Sequence, residues 1–399
     1  MRFSDLNKIK AAAAPQAKPA PQVKPAPQPA PAPQPEAPET PRPLPALPPT
    51  TEQAASAGQQ PSLTRRRREL EKSTAPKELP FHELEPRAKE VYSRLLLQVD
   101  SFLKAVDEPY CEKYEAALAA CALAAGELKA NPYFLGCSVY STADDYLRAH
   151  TANTVILALA MGLEAGLDGG ELGLLGFCSL AHDIGMTGYS ALYNRQERLT
   201  EEELEEMTLH AEAGAAKLDR IVDLDYKVKD RAKKVILQIH ERADGSGYPD
   251  RLSNEDIDPL AQLISIADAY EAMTHPRSWR EALPPPDAVK ELIAREGGGF
   301  NAGAVKLLIS VISMYPPGSL VELSTGETAQ VLRVNRGLLT RPVVQILLNK
   351  DGGQAEPRMD DLKQHPLVSI ERTVTQRKLG ELNPKYAARL ELARWWTDW

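Results

Sequence analysis

Cysteine is scarce in this 399-residue chain: Cys111, Cys121, Cys137 and Cys178 are all there are, and no two form a CxxC pair. That spacing excludes a zinc ribbon and a disulfide framework, and it suits a reducing compartment. Long apolar runs are missing as well. The best stretch, Val155 to Leu167, is cut by Glu164 and falls short of the roughly 18 uncharged residues a membrane span needs. The opening MRFSDLNKIKAAAAPQ lacks the apolar centre of a signal peptide, so the expected address is the cytoplasm. Positive charge is short over most of the chain. Residues 1–80 carry 12 Lys+Arg and 7 Asp+Glu, whereas residues 81–399 carry 35 and 48, net −13, within a total of −8. So acidic a body is a poor partner for a nucleic-acid polymer, whose affinity comes from phosphate neutralisation. A phosphate ester handled here must meet local arginine or bound metal.

Proline is abundant instead, with 18 of 33 residues before position 81. Ala11 to Pro61 repeats Pro, Ala, Gln and Lys and cannot bury enough apolar surface to offset ordering entropy. Residues 1–80 are therefore expected to be a disordered, locally extended tail. MRFSDLNKIK reads as a frayed start or a short docking peptide. The run Arg65 to Arg68 reads as a solvated stretch or a contact for a membrane or nucleic acid.

Beyond the tail the pattern is mainly α. Residues 81–130, rich in Ala, Leu, Glu and Lys, predict two or three helices. Residues 131–316 predict a helical domain. In it Asp144 and Asp145 suit a helix N-terminus, and Val155 to Leu163 must be buried almost all round. Thr200 and Glu203 form a capping box. Val228, Ala232, Val235, Ile236 and Ile239 mark one core-facing stripe, and a last helix runs from Ala302 to Met314. Then the grammar changes. Leu320-Val321, Ala329 to Val334 and Pro342 to Leu348 are short β-branched segments between turn residues, predicting a small antiparallel β unit over 317–370. Residues 371–399 are expected to be a helical tail, with Trp395, Trp396 and Trp399 on a short helix that docks on the chain itself or on a partner.

The chemistry-bearing residues are dispersed over the helical domain. His150 follows Tyr146 by one turn, and His182-Asp183 closes an apolar helix in SLAHDIGM. His210 is placed on the capped helix; His240 precedes Glu241 and the turn Asp244-Gly245-Ser246-Gly247-Tyr248-Pro249; Asp268 sits inside the apolar LISIADAYEAM. Taken singly, a buried His is an ordinary core residue and an Asp after an apolar run is an ordinary cap. Together they suggest a metal site. Adjacent His and Asp can hold one divalent cation while the second carboxylate oxygen bridges to another, and mixed N/O donors suit Fe, Mn or Zn. Paired ions of this kind serve phosphoester displacement.

Three strings, HDIG at His182 to Gly185, HERADGSGYP at His240 to Pro249 and IADAYEAMTHPRSWR at Ile266 to Arg280, resemble the HD-GYP domain of the HD superfamily. YPPGSLVELSTGE resembles the short extension that follows this domain. The resemblance implies an all-helical domain over 131–316 with a metal centre that hydrolyses cyclic di-GMP to pGpG or GMP. By position, it implies His150, His182, Asp183 and Asp268 as ligands of one ion, with Asp183 bridging to a second held by His210 and His240. It implies Arg277 and Arg280 as phosphate-binding residues and Tyr248 near the substrate. Two divalent ions, Fe or Mn, are the implied cofactors. Cyclic di-GMP and diguanylate cyclases are the implied partners, and a homodimer is the default expectation for oligomeric state.

The chain departs from the pattern at three places. Ile239 stands where a second-metal histidine is expected, Met186 where a lysine is expected, and Tyr146 where three-metal members carry a Glu. The expected consequence is a weak second site and no third ion. One reading is thus an attenuated phosphodiesterase. Another is a lapsed domain that binds cyclic di-GMP or docks a signalling partner through its Gly-Tyr-Pro face, and a third is a different HD hydrolase.

Overall fold

A computed structural model of the protein describes residues 80–399, apart from 143–145, 196, 278–279, 296–297 and 397–399. The proline-rich tail, the Arg65 to Arg68 run, Asp144, Asp145 and Trp399 therefore lie outside the described residues.

The first two helices, α1 (Phe81–Ala105) and α2 (Tyr114–Ala130), follow from their apolar spacing. On α1, Leu84, Ala88, Val91, Leu95, Val99 and Phe102 recur at three or four residues and are all buried. Both helices pack into the main core. Their buried faces belong to the same hydrophobic cluster as α3 (Tyr146–Glu164), α4 (Gly169–Ala181), α8 (Tyr226–Gln238) and α9 (Pro259–Thr274). Between α4 and α8 come the short helices α5 (Ser190–Tyr193), α6 (Glu201–Thr208) and α7 (His210–Lys217), and α10 (Pro285–Ala294) and α11 (Ala302–Ile312) close the helical part. Val155–Leu159 on α3 are buried on every side, as the apolar run requires. Thr200 and Glu203 form both bonds of the capping box at the start of α6. On α8, Ala232, Val235 and Ile236, with Ile239 just past its end, are buried in the core stripe.

After Gly318 the chain forms a five-stranded antiparallel sheet in the order β4-β3-β2-β1-β5. Its strands are β1 (Leu320–Leu323), β2 (Thr328–Arg333), β3 (Val343–Leu348), β4 (Gln354–Asp361) and β5 (Ile370–Thr373). The sequence pattern marked only the inner three. β4 and β5 are the two edges, and edge strands carry polar residues and tolerate proline, such as Pro357, because one backbone side needs no partner. The expected boundary at 370 consequently cuts a strand: the sheet ends at Thr373. One face of it packs under Val374, Leu379 and Ala387, the last two on α12 (Gln376–Leu382) and α13 (Pro384–Leu392).

The C-terminus corrects another expectation. Trp395 is not helical but forms an isolated parallel bridge with Ser141, and the Trp396 amide donates to the Ser141 carbonyl at 2.7 Å. Trp396 is buried edge-on against Tyr92 and Tyr140, at 4.9 and 5.1 Å between ring centres. It docks on the chain's own body.

Candidate metal centre

Five helical segments converge around one buried carboxylate. α4 ends at Ala181, so His182 caps it and Asp183 is turned out of the helix at φ −111°. The next glycine makes the convergence possible. A Cβ at Gly185 would lie 1.9 Å from the His210 carbonyl oxygen, a contact that side chains do not make, so only glycine lets the His210 backbone pack against this turn. His210 itself opens α7, two residues past the end of the capped helix, rather than lying on that helix as the pattern suggested. His240 follows the end of α8. Asp268 comes from α9 and His150 from α3.

The imidazoles are aimed by what holds their other nitrogen. His182 Nδ1 donates to the Ser179 carbonyl at 2.7 Å, and His210 Nδ1 to the Met207 carbonyl at 2.5 Å. His150 Nδ1 is held by the Glu271 carboxylate. With Nδ1 donating, each Nε2 carries a lone pair, and these point into one space. His150 and His182 Nε2 lie 3.3 Å apart, each 3.5 Å from Asp183 Oδ2, and Asp268 Oδ1 is 3.3 Å from His150 Nε2. On the other side, Asp183 Oδ1 faces Nε2 of His210 at 3.4 Å and of His240 at 3.7 Å. One carboxylate thus presents an oxygen to each of two donor groups, His150-His182-Asp183 and Asp183-His210-His240.

These residues fit divalent ions. Two nitrogens bound to one ion at about 2.0–2.1 Å stand about 3.0–3.4 Å apart, which matches His150 and His182. His210 and His240 are closer, at 2.8 Å, a distance at which one ring donates to the other. Asp183 Oδ1 is buried and makes no hydrogen bond among the described residues, a costly state that a cation would relieve. Electrostatics agree. Burial opposes charge on Asp183, yet His182 and the other three imidazoles hold its carboxyl well below the ordinary range. Burial likewise opposes a proton on His150, but Glu271, Asp183 and Asp268 raise its pKa well above the usual imidazole value. A field that favours a proton at that nitrogen favours a metal ion there too.

Behind His150 lies a polar network that the sequence pattern did not single out. Glu271 is fully buried and lies one turn after Asp268 on α9. Asn153 donates to it at 3.1 Å, His275 Nδ1 stands at 3.1 Å and Arg277 at 3.8 Å. Burial alone would neutralise Glu271, but His275, His150 and Arg277 hold its pKa far down. The clue was available: an acidic residue at i+3 from Asp268 shares that residue's helix face.

The other expected residues divide. Arg277 lies with its guanidinium over the Tyr146 ring at 3.8 Å, and its Nη1 has no hydrogen-bond partner among the described residues. Arg280 donates to the Ala272 carbonyl, so part of its guanidinium is committed to the end of α9. Tyr248 stacks on His240, at 5.1 Å and 11°. Glu241 is not with the metal donors. It accepts from the Asp250 and Leu252 amides at 2.7 and 3.0 Å and anchors the Gly-Tyr-Pro turn. Ile239 is fully buried in the hydrophobic cluster, as is Met186 nearly so. Lys217 does not replace the missing lysine, because its amine pairs with Asp107 and Thr187.

Among the described residues, no helix is long and apolar enough to cross a membrane. Residues 140–300 match the HD domain model, and residues 320–382 match the KOW domain associated with HD domains. A cyclic di-GMP phosphodiesterase of Pseudomonas aeruginosa is 29% identical over 209 residues, covering 52% of this chain and 49% of that protein. The cyclic di-GMP phosphodiesterase PdeB of Borreliella burgdorferi is 26% identical over 251 residues, 61% of this chain and 64% of that one. A 3'3'-cGAMP-specific phosphodiesterase of Vibrio cholerae is 28% identical over 162 residues, 40% of this chain and 30% of that one. The chain thus spans about half the length of the first of these relatives and under two thirds of the second. His182-Asp183 and Gly247-Tyr248-Pro249 both fall inside the matched span, and residues 140–300 form an HD domain that carries the HD-GYP motifs.

Proposed function

We propose that this chain is a metal-dependent phosphodiesterase that hydrolyses cyclic di-GMP to pGpG or GMP, with a rate attenuated by Ile239 and Met186. The observation that carries the reading is Asp183, whose two oxygens face two separate imidazole pairs. His150, His182, Asp183 and Asp268 would hold a first ion, and Asp183, His210 and His240 a weaker second, with Fe or Mn suiting this donor set. Divalent ions held there would supply Lewis acidity toward a phosphodiester and make water a better nucleophile. The protein's own part is orientation. Glu271, Ser179 and Met207 keep the imidazole lone pairs turned inward. Arg277, preset on the Tyr146 face with Nη1 unused, offers a phosphate a charge-assisted hydrogen bond. Tyr248, stacked on His240, walls the second half of the site and excludes water from one side.

The deciding experiment is anaerobic turnover by the purified protein with Mn(II) or Fe(II), separating products chromatographically. Cyclic di-GMP and 3'3'-cGAMP are compared, because relatives carry both names. Appearance of pGpG or GMP that Asp183→Ala abolishes supports the enzyme. The burial of Ile239 in the core favours a second reading, a lapsed domain that binds the nucleotide or docks a diguanylate cyclase. Nucleotide binding with no product over hours selects that one.

A further inference from the structure

Beside the polar network behind His150, with His275 as a shared wall, the fold leaves a cavity of about 130 Å³. Tyr270 and Thr274 of α9 line it, where Asp268 and Glu271 serve the metal side. The remaining walls come from the Phe134–Val139 turn, residues 282–286 at the start of α10, the end of α11, the β sheet and the C-terminal helices. Protein interiors are close-packed, and a void of this size forfeits the contacts its walls could make. Its lining sorts into two kinds. Leu135, Ile312 and Leu320 are buried apolar walls, whereas Arg394 and Gln376 are partly exposed and polar. The Arg394 guanidinium is loosely held, 3.5 Å from the Thr274 carbonyl and 3.7 Å from Glu391.

We propose that this cavity is an effector site for a small amphipathic monocarboxylate, an apolar body of about one ring ending in a single carboxylate, whose occupancy is felt at His150. Size sets the body, since an apolar cavity of about 150 Å³ holds benzene. Arg394 sets the charge. The link to the metal centre is His275, which lines the cavity and belongs to the network behind His150. His275 Nδ1 is 3.1 Å from the Glu271 carboxylate, its Nε2 is 3.3 Å from Asn153, and Glu271 in turn holds His150 Nδ1. A ligand that shifts the His275 ring therefore disturbs the group that orients a metal donor.

The test uses the full chain and benzoate as probe, with benzyl alcohol and acetate as partners lacking the charge or the ring. Calorimetry on metal-free protein should show saturable 1:1 benzoate binding, at least about tenfold tighter than either comparator. Arg394→Gln should weaken benzoate and spare benzyl alcohol, and Val139→Phe, which fills the cavity, should weaken both. The Mn(II) dissociation constant should then shift about fivefold or more under saturating benzoate, the low end of ordinary coupling between sites. His275→Gln, measured at saturating benzoate, should lose that shift. No saturable binding, binding indifferent to Arg394, or binding that leaves Mn(II) affinity unchanged would each overturn the proposal. Because the first arm needs neither metal nor turnover, its failure is distinct from failure of the phosphodiesterase reading.

Discussion

The two halves of the donor cluster share one carboxylate and differ in what stands around it. The first half groups His150, His182 and Asp183 with Asp268 beside His150, and one of its imidazoles is backed by a buried carboxylate tied to Asn153, His275 and Arg277. The second has three donors. His210 is backed by a neutral carbonyl, and the position beside His240 is filled by Ile239, which belongs to the hydrophobic core. A carboxylate behind an imidazole raises its basicity and fixes its orientation more firmly than a carbonyl does. Spacing tells the same story, since 3.3 Å between His150 and His182 suits a shared ion while 2.8 Å between His210 and His240 requires the rings to part. The asymmetry teaches that packing and ligation compete for the same positions. At the end of α8, Ile239 is packed into the core.

Asp183→Ala is the harshest way to break the comparison, because it removes a donor from both halves at once. Elemental analysis of the purified variant is expected to find neither ion, and stoichiometric metal in it would falsify the donor assignment. Glu271→Gln separates the halves. It keeps the side-chain shape but removes the charge behind His150, so the first ion should weaken by about 10- to 100-fold while the second is spared. Metal titration followed by competition with a chelator reads both constants, and equal weakening of the two would show that Glu271 acts on the fold instead. Ile239→His works in the opposite direction, adding a donor where the core now has carbon. Bound metal should rise toward two per chain and turnover should rise with it. Burying an imidazole among Ile236, Val235 and Ala232 should lower stability by about 1–3 kcal/mol in a denaturant titration without metal. Unchanged metal content would mean that residue 239 does not face the second ion.

Much of this was legible in the sequence, for identifiable reasons. The donors His150, His182, Asp183, His210, His240 and Asp268 sit in strings whose spacing is tied to helix ends, and those strings come together in the structure around Asp183. The core stripe of α8 and the capping box of α6 are local patterns, and they appear as read. What escaped depends on distant partners. Glu271 looks like any helical acid until α3 brings His150 and Asn153 against it, 121 and 118 residues away in sequence. β4 and β5 pair at the sheet edges, where the alternation of a half-buried strand is weak. Trp395 and Trp396 read as helical because nothing local reveals that Ser141 will pair with them. The break at Leu209 that puts His210 on its own helix is equally non-local, lying where the His210 carbonyl packs against Gly185.

The smallest effect tests whether the second half is weaker in its supports as well as in its ligands. Thr200 accepts the Glu203 amide and Glu203 returns a bond to the Thr200 amide, which fixes the first turn of α6. That helix has eight residues, no buried side chain, and the Met207 carbonyl that orients His210 near its far end. With so little tertiary packing, a helix this short depends on its cap. Thr200→Ala should therefore cost about 1 kcal/mol, and most of that loss should be local to α6. Hydrogen exchange is expected to quicken through residues 201–208, and affinity for the second ion should drop by a factor of a few. The first ion should bind as before, since Ser179 lies on α4 and Glu271 on α9, away from the altered cap. If both ions weaken together, the two halves share their scaffold, and the contrast between them reduces to the count of donors.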